Sequence, residues 1–129
     1  MTAYRAEIIA VGTELLLGNV ANTDAQFLSE MLASVGVDVL YHTAVGDNPA
    51  RLREVVDIAR GRANLLVFTG GLGPTYDDMT KQTVCEAFGL GLEFHPEIVE
   101  EIRHYFDTVF RREMPACNLQ QAYLPRGCT

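Results

Sequence analysis

The chain is short of cationic side chains, cysteine and long apolar runs, and each shortage excludes a class of function. Ten Lys and Arg stand against 17 acids, for a net charge of −7. Such a surface repels a nucleic acid backbone and no basic cluster offsets it, so nucleic acid is not an expected partner. No run approaches the roughly 20 apolar residues that span a membrane. Residues 1–5 carry one charge and the apolar stretch after them is short, so neither a leader nor a membrane contact is expected. Cys85, Cys117 and Cys128 are odd in number and lack CxxC spacing, which argues against a disulfide framework and a zinc site. Reduced thiols that partly fill core space, in a cytoplasmic protein, are the expectation.

Several catalytic signatures are missing too. There is no Gly-Lys-Ser/Thr to complete a Walker A loop, no second glycine spacing for a dinucleotide fingerprint, and no Gly-x-Ser-x-Gly elbow. His42, His95 and His104 have no partner at metal-ligand spacing, so they read as a strand histidine, a helix-start residue and a solvent-facing residue. No repeat or linker divides the 129 residues, a length that suits one domain with a sizeable core.

What is present alternates strand and helix. Residues 7–11 read as a buried strand ended by Gly12. Asn22-Thr-Asp24 offers helix-start residues, and Ala25, Leu28, Met31, Leu32 and Val35 form one helical face closed by Gly36. Residues 37–45 read as a second strand. Asn48-Pro49 then starts a helix with Leu52, Val55, Val56 and Ala59 facing inward. Residues 65–68 read as a third buried strand. Thr80, Val84, Ala87 and Phe88 mark a third helix. Residues 90–94 read as a short link. His95-Pro96 opens a fourth helix, with Ile98, Val99, Ile102, Tyr105, Phe106, Val109 and Phe110 on its buried side, broken at Met114-Pro115. Residues 118–123 read as a helical turn and Pro125-Arg-Gly127 as a turn. This order predicts an α/β fold, a mostly parallel sheet covered on both faces.

In such sheets ligands sit beyond the carboxyl ends of the strands. Gly12-Thr13-Glu14, Gly46-Asp47-Asn48 and Thr69-Gly-Gly-Leu-Gly-Pro-Thr-Tyr-Asp-Asp78 all lie at such ends. They are expected to share one crevice and to pool Glu14, Asp47, Asp77 and Asp78. Gly70, Gly71 and Gly73 let the backbone turn sharply and approach a ligand, and loop N–H groups hold anions. Carboxylates there hold a cation or polarise a water. Plainer readings exist: Asp77 or Asp78 as a helix cap, Asp47 as a turn residue, Glu14 as a surface acid beside a hairpin.

Five motifs in order carry a family resemblance. They are Ile9-Ala-Val-Gly-Thr-Glu-Leu-Leu-Leu-Gly18, Asn22-Thr-Asp-Ala-Gln-Phe-Leu28, Val45-Gly-Asp-Asn-Pro49, Thr69 through Thr80, and Met114-Pro to Gln121-Ala-Tyr-Leu-Pro125. Together they resemble the N-terminal domain of the CinA family, the competence/damage-inducible proteins, a relative of the MoaB/Mog molybdopterin-binding proteins. The resemblance implies a three-layer α/β/α fold, with residues 1–129 as one such domain. Mog-type proteins bind molybdopterin and adenylylate it with acids that match Asp47 and Asp78. CinA-type domains depart from them at Leu72, which stands where Mog has threonine. For CinA the implied activity is a divalent-metal-dependent ADP-ribose pyrophosphatase (Mg²⁺, Mn²⁺ or Co²⁺).

On that basis Asp78 and Asp47 are the expected catalytic residues, and Asp78, Asp47 and Asp77 the expected metal ligands. Gly12, Thr13, Glu14, Thr69, Gly70, Gly71, Gly73, Pro74 and Thr75 are expected to line a nucleotide or pterin phosphate. A binding module without catalysis is the third reading. Many CinA proteins also carry a nicotinamide mononucleotide amidohydrolase domain, which this sequence lacks, and a further ligand loop beyond Pro125-Arg-Gly127; a fold shortened at its C-terminal side is therefore expected. Family relatives are dimers or trimers, so a homo-oligomer is expected.

Overall fold

The computed structural model describes residues 3–129. A parallel sheet of order β2-β1-β3 forms its centre: β1 (Arg5–Val11), β2 (Asp38–Val45) and β3 (Leu65–Thr69). β1 is apolar on both faces because helices cover both. Ile9 and Val11 pack with Val45 of β2 against Leu52, Val56 and Ala59 of α3 (Pro49–Ala59) and Ala87 of α4 (Thr80–Ala87). Ile8 and Ala10, which point the other way, are buried on the side where α2 (Thr23–Ser34) lies against β1 and β2. The three layers expected from the sequence are thus present.

Local signals place the helices. The Asn48 side chain accepts the Arg51 N–H at 3.0 Å and Pro49 occupies the first turn of α3. Asn22 accepts the Ala25 N–H at 3.2 Å at the start of α2. Gly36 lies just past α2 with φ +81°, a left-handed conformation that glycine adopts freely.

Some expectations are corrected. β3 is only half-buried along its length, because it is the sheet's edge strand among the described residues. On α2 only Ala25 is buried, while Met31 and Val35 face solvent, because the three-strand sheet is narrower than the helix's apolar stripe. Residues 12–18 form no hairpin: Thr13–Leu16 make a single helical turn, α1. Residues 90–94 are more than a link, since β4 (Leu92–Phe94) pairs antiparallel with β5 (Tyr123–Pro125) as a second, two-stranded sheet. The fourth helix, α5 (Pro96–Tyr105), passes into a π turn over Phe106–Phe110 and stops at Arg111, which is left-handed at φ 53°. Tyr105, Val109 and Phe110 are exposed rather than buried. The Phe110 ring packs on Phe106 and Tyr105, at 5.1 and 5.3 Å between centroids, instead of on the core. Of the cysteines, Cys85 fills core space, while Cys117 and Cys128 are exposed; all three are free thiols. No helix among the described residues is long and apolar enough to cross a membrane.

One buried charge lay outside every motif. Glu7, on the central strand of the sheet, has no exposed surface. Its carboxylate accepts from the Arg62 guanidinium at 2.9 and 2.7 Å and from the Thr43 hydroxyl at 2.6 Å. Burial pushes the Glu7 carboxyl up, but the Arg62 and Thr43 hydrogen bonds and the Arg62 charge outweigh it and hold it below its ordinary value. Arg62 also stacks 3.7 Å from the Tyr41 ring centroid.

Candidate functional site

The loops after β1, β2 and β3 meet at one end of the sheet. The first two are tied directly. The Thr13 N–H donates to Asp47 Oδ2 at 3.2 Å, and the Asp47 N–H donates to Thr13 Oγ1 at 3.1 Å. The Gly12 N–H is taken by the Val45 carbonyl at 2.9 Å, so Gly12 enters the site through its backbone shape and not as a free donor. Glu14 is exposed and its carboxylate folds back to where a Gly12 side chain would stand.

The third loop is sharply wound. Gly70 and Gly71 are both left-handed, at φ +81° and +66°. A Cβ on Gly70 would collide with the Val11 carbonyl, and one on Gly71 with the Thr80 hydroxyl. Thr80, the first residue of α4, binds the loop back on itself. Its hydroxyl donates to the Gly70 carbonyl at 2.8 Å and its N–H to the Gly71 carbonyl at 3.1 Å. Thr69 ends β3 opposite Ala10, and Pro74 is half-buried in the loop.

Asp78 does not cap α4: Met79 holds that position without a side-chain bond. The Asp78 carboxylate turns into its own loop, accepting from the Thr75 N–H at 2.9 Å and the Thr75 hydroxyl at 2.5 Å. The Thr75 hydroxyl bond, aided by the backbone N–H groups of Thr75 and Gly73, holds the Asp78 carboxyl below its usual value against partial burial. Asp78 therefore remains ionised at neutral pH.

The four acids do not share one pocket. Asp47 and Asp77 line a cavity of about 400 Å³ with Pro49, Tyr76, Met79 and Gln82. Glu14 and Asp24 line a separate one of about 150 Å³ with Thr69 and Gly70. Asp78 borders the first through its neighbours and is occupied within the loop. No three of His, Cys, Asp and Glu among the described residues gather closely enough to hold a metal ion. The expected pooling of Glu14, Asp47, Asp77 and Asp78 is thus replaced by two separate acidic edges. The reason is local: Glu14 and Asp78 each fold back onto backbone of their own loop.

Several bordering residues were given no role from the sequence. Tyr76, within the glycine-loop motif, is fully exposed at the loop tip. Gln82 lines both the Asp47 cavity and a larger neighbouring one. Gln120, within the last motif and from the 3₁₀ segment Ala116–Ala122, donates its amide to the Asp78 carbonyl at 3.2 Å. Motif membership marked Tyr76 and Gln120, and Gln82 was marked only by its place about one turn past Asp78.

Residues 7–127 match the family model described as "Probable molybdopterin binding domain". The chain belongs to that family. Among curated proteins, this molybdopterin-binding-type domain is 52% identical over 124 residues to the competence-damage inducible protein of Acetivibrio thermocellus, covering 96% of this chain and 30% of that protein. It is 51% identical over 123 residues to the corresponding Bacillus subtilis (strain 168) protein, covering 95% and 29%. The domain thus spans about 30% of the length of these relatives, in their N-terminal portion. Among solved structures, CinA from Thermoplasma acidophilum superposes with a TM-score of 0.86 at 29% identity, over 98% of this chain and 73% of that one. MoaB from Thermus thermophilus gives 0.63 at 22% identity, over 95% and 79%, a likeness of fold alone.

Proposed function

We propose that this CinA-like domain binds a nucleotide or pterin phosphate in the crevice over β1, β2 and β3, and hydrolyses ADP-ribose or a similar nucleoside diphosphate. The observation that carries the reading is the Thr13–Asp47 tie at the same end of the sheet as the Gly70–Gly71 turn, whose loop holds Asp78 ionised. The left-handed glycines let the loop close against the Val11 carbonyl and the Thr80 hydroxyl, a tight backbone turn of the kind that can cradle a phosphate. The Thr13 hydroxyl accepts from the Asp47 N–H and keeps its own proton to donate to a phosphate oxygen, whereas the Thr75 hydroxyl proton is already given to Asp78. Asp47 and Asp78 are the proposed catalytic residues, and Tyr76 offers an open aromatic face for a base.

The chemistry of two donors suits a divalent cation of a particular kind. Asp47 and Asp77, which line one cavity, offer carboxylate oxygens alone, which suits a hard ion such as Mg²⁺ or Mn²⁺, with Co²⁺ a borderline case; Asp78 would join them by turning its carboxylate away from Thr75. They form no closed cage, so they suit an ion that completes its shell with ligand phosphates and water. Such an ion would offset phosphate charge and acidify a water. The chain's part is to hold Asp78 ionised, fix the diphosphate over Gly70–Gly73, and orient the phosphorus for attack.

The test is incubation of purified protein with ADP-ribose and each of Mg²⁺, Mn²⁺ and Co²⁺, following AMP. Release that depends on metal and on Asp78 supports the reading; none with any metal, in folded protein, overturns it. The family description favours a second reading, molybdopterin binding, to which the resemblance to Mog-type proteins adds adenylylation. ATP-dependent adenylylation of bound molybdopterin would establish it. We further propose assembly as a homodimer or homotrimer, since Leu16, Leu17, Val20 and Phe27 expose apolar surface along α1 and α2. Light scattering of the purified chain reads this out directly, and a monomer at working concentration would refute it.

A further inference from the structure

An acidic crevice that takes a phosphate needs a cation, and the glycine loop contains none. Lys81 is the single lysine of the sequence. It follows Thr80, the residue that clamps Gly70 and Gly71. Lys81, Gln82, Cys117, Gln120 and Tyr123 line a cavity of about 620 Å³ between α4 and the β4–β5 sheet. Among these side chains Lys81 carries the only charge, and among the described residues it makes no ion pair. Its ammonium donates to the Gln120 carbonyl at 2.8 Å, which uses one of three donors. Two residues connect this cavity with the acidic loop. Gln82 lines both cavities, and Gln120 accepts from Lys81 on its backbone carbonyl while its side-chain amide donates to the Asp78 carbonyl.

We propose that Lys81 and its cavity form an anion subsite, which takes a phosphate of a ligand whose remainder lies over the glycine loop. The ligand class, a nucleoside diphosphate, rests on the function proposed above; the subsite itself rests on the geometry. Attraction there is strong because a partly buried ammonium without a counter-ion gains more from an arriving anion than an exposed one does. Partial burial also lowers the Lys81 ammonium from its ordinary value, and an anion bound beside it would oppose that shift. The ligand is thereby held at two ends: carboxylates and glycine backbone on one side, one cation on the other.

The experiment uses inorganic phosphate, pyrophosphate and ADP-ribose as probes, titrated calorimetrically into the full chain and into Lys81→Gln and Lys81→Arg. Pyrophosphate is expected to bind the wild type, to weaken at least about tenfold with Lys81→Gln and to stay within about threefold with Lys81→Arg. A second readout uses the wild type alone. Pyridoxal 5′-phosphate forms an imine with an accessible amine, which borohydride then reduces, and labelling of Lys81 should be blocked by pyrophosphate. Pyrophosphate binding that is unchanged in Lys81→Gln, or labelling that pyrophosphate does not slow, overturns the proposal. Failure of the two ideas is distinguishable: AMP release unaffected by Lys81→Gln rejects the subsite and keeps the hydrolase. Lys81-dependent pyrophosphate binding without AMP release does the reverse.

Discussion

Thr13 and Asp47 hold one another across two loops, each backbone N–H donating to the other's side chain. The pair links the carboxyl ends of β1 and β2, and neither residue is buried. Its contribution to stability is therefore modest, and its contribution to ligand geometry larger. Thr13→Ala and Asp47→Ala, measured singly and together by urea unfolding, should each cost about 0.5–1.5 kcal/mol and be close to additive, because each removes a different bond to the other's backbone. Each should weaken ligand binding more than its effect on the melting temperature suggests. No loss of stability in either single variant would mean that the two bonds do not form in solution.

Asp78→Asn keeps an acceptor for Thr75 and removes the charge. Turnover of ADP-ribose should fall 100-fold or more, about 3 kcal/mol of transition-state stabilisation, while thermal stability changes little. Equal loss of both would assign Asp78 to loop structure alone. As a carboxyl held below its unfolded value, Asp78 adds stability that is present above the ordinary carboxylate range and fades as pH falls through the folded value.

Arg62→Met should be costly, because it strands the Glu7 carboxylate in the sheet. The loss expected is near the lower end of roughly 3–5 kcal/mol, since the guanidinium itself is partly in water. The pH dependence should also invert. In the wild type the Glu7 contribution is complete above about pH 4.3 and is lost as pH drops through its lower folded value. In Arg62→Met burial alone would raise the carboxyl, so stability should rise on acidification from neutral pH. Urea midpoints between about pH 7 and pH 4 decide it; parallel curves would refute this account of Glu7.

Gly70→Ala combines a left-handed backbone with a clash against the Val11 carbonyl. A destabilisation of roughly 1–3 kcal/mol is expected, together with loss of phosphate binding. Gly89→Ala is the control: it shares a positive φ but meets open space, so it should cost less and leave binding intact. Equal effects at both positions would show that Gly70 has no special closeness to β1.

Features confined to one turn were legible in the sequence. Asn48-Pro49 and Gly36 mark helix ends because cap and backbone act within a few residues. The meeting of the three loops was also legible, since it follows from parallel topology. What was hidden depends on distant partners. β4 has three residues and no period of its own; β5 defines it. Glu7 reads as an interruption of an apolar strand until Arg62, 55 residues on, is folded against it. The grouping of the acids was not legible, because Glu14 and Asp78 turn to their own loops and away from a shared crevice.

β1 carries Glu7 near one end and opens into Gly12 and Thr13 at the other, about 16 Å apart at strand spacing. Variation that alters which ligand is accepted can therefore accumulate at one pole of the molecule without touching the charge that anchors the opposite pole. A lineage could exchange one phosphate chemistry for another while inheriting the same scaffold.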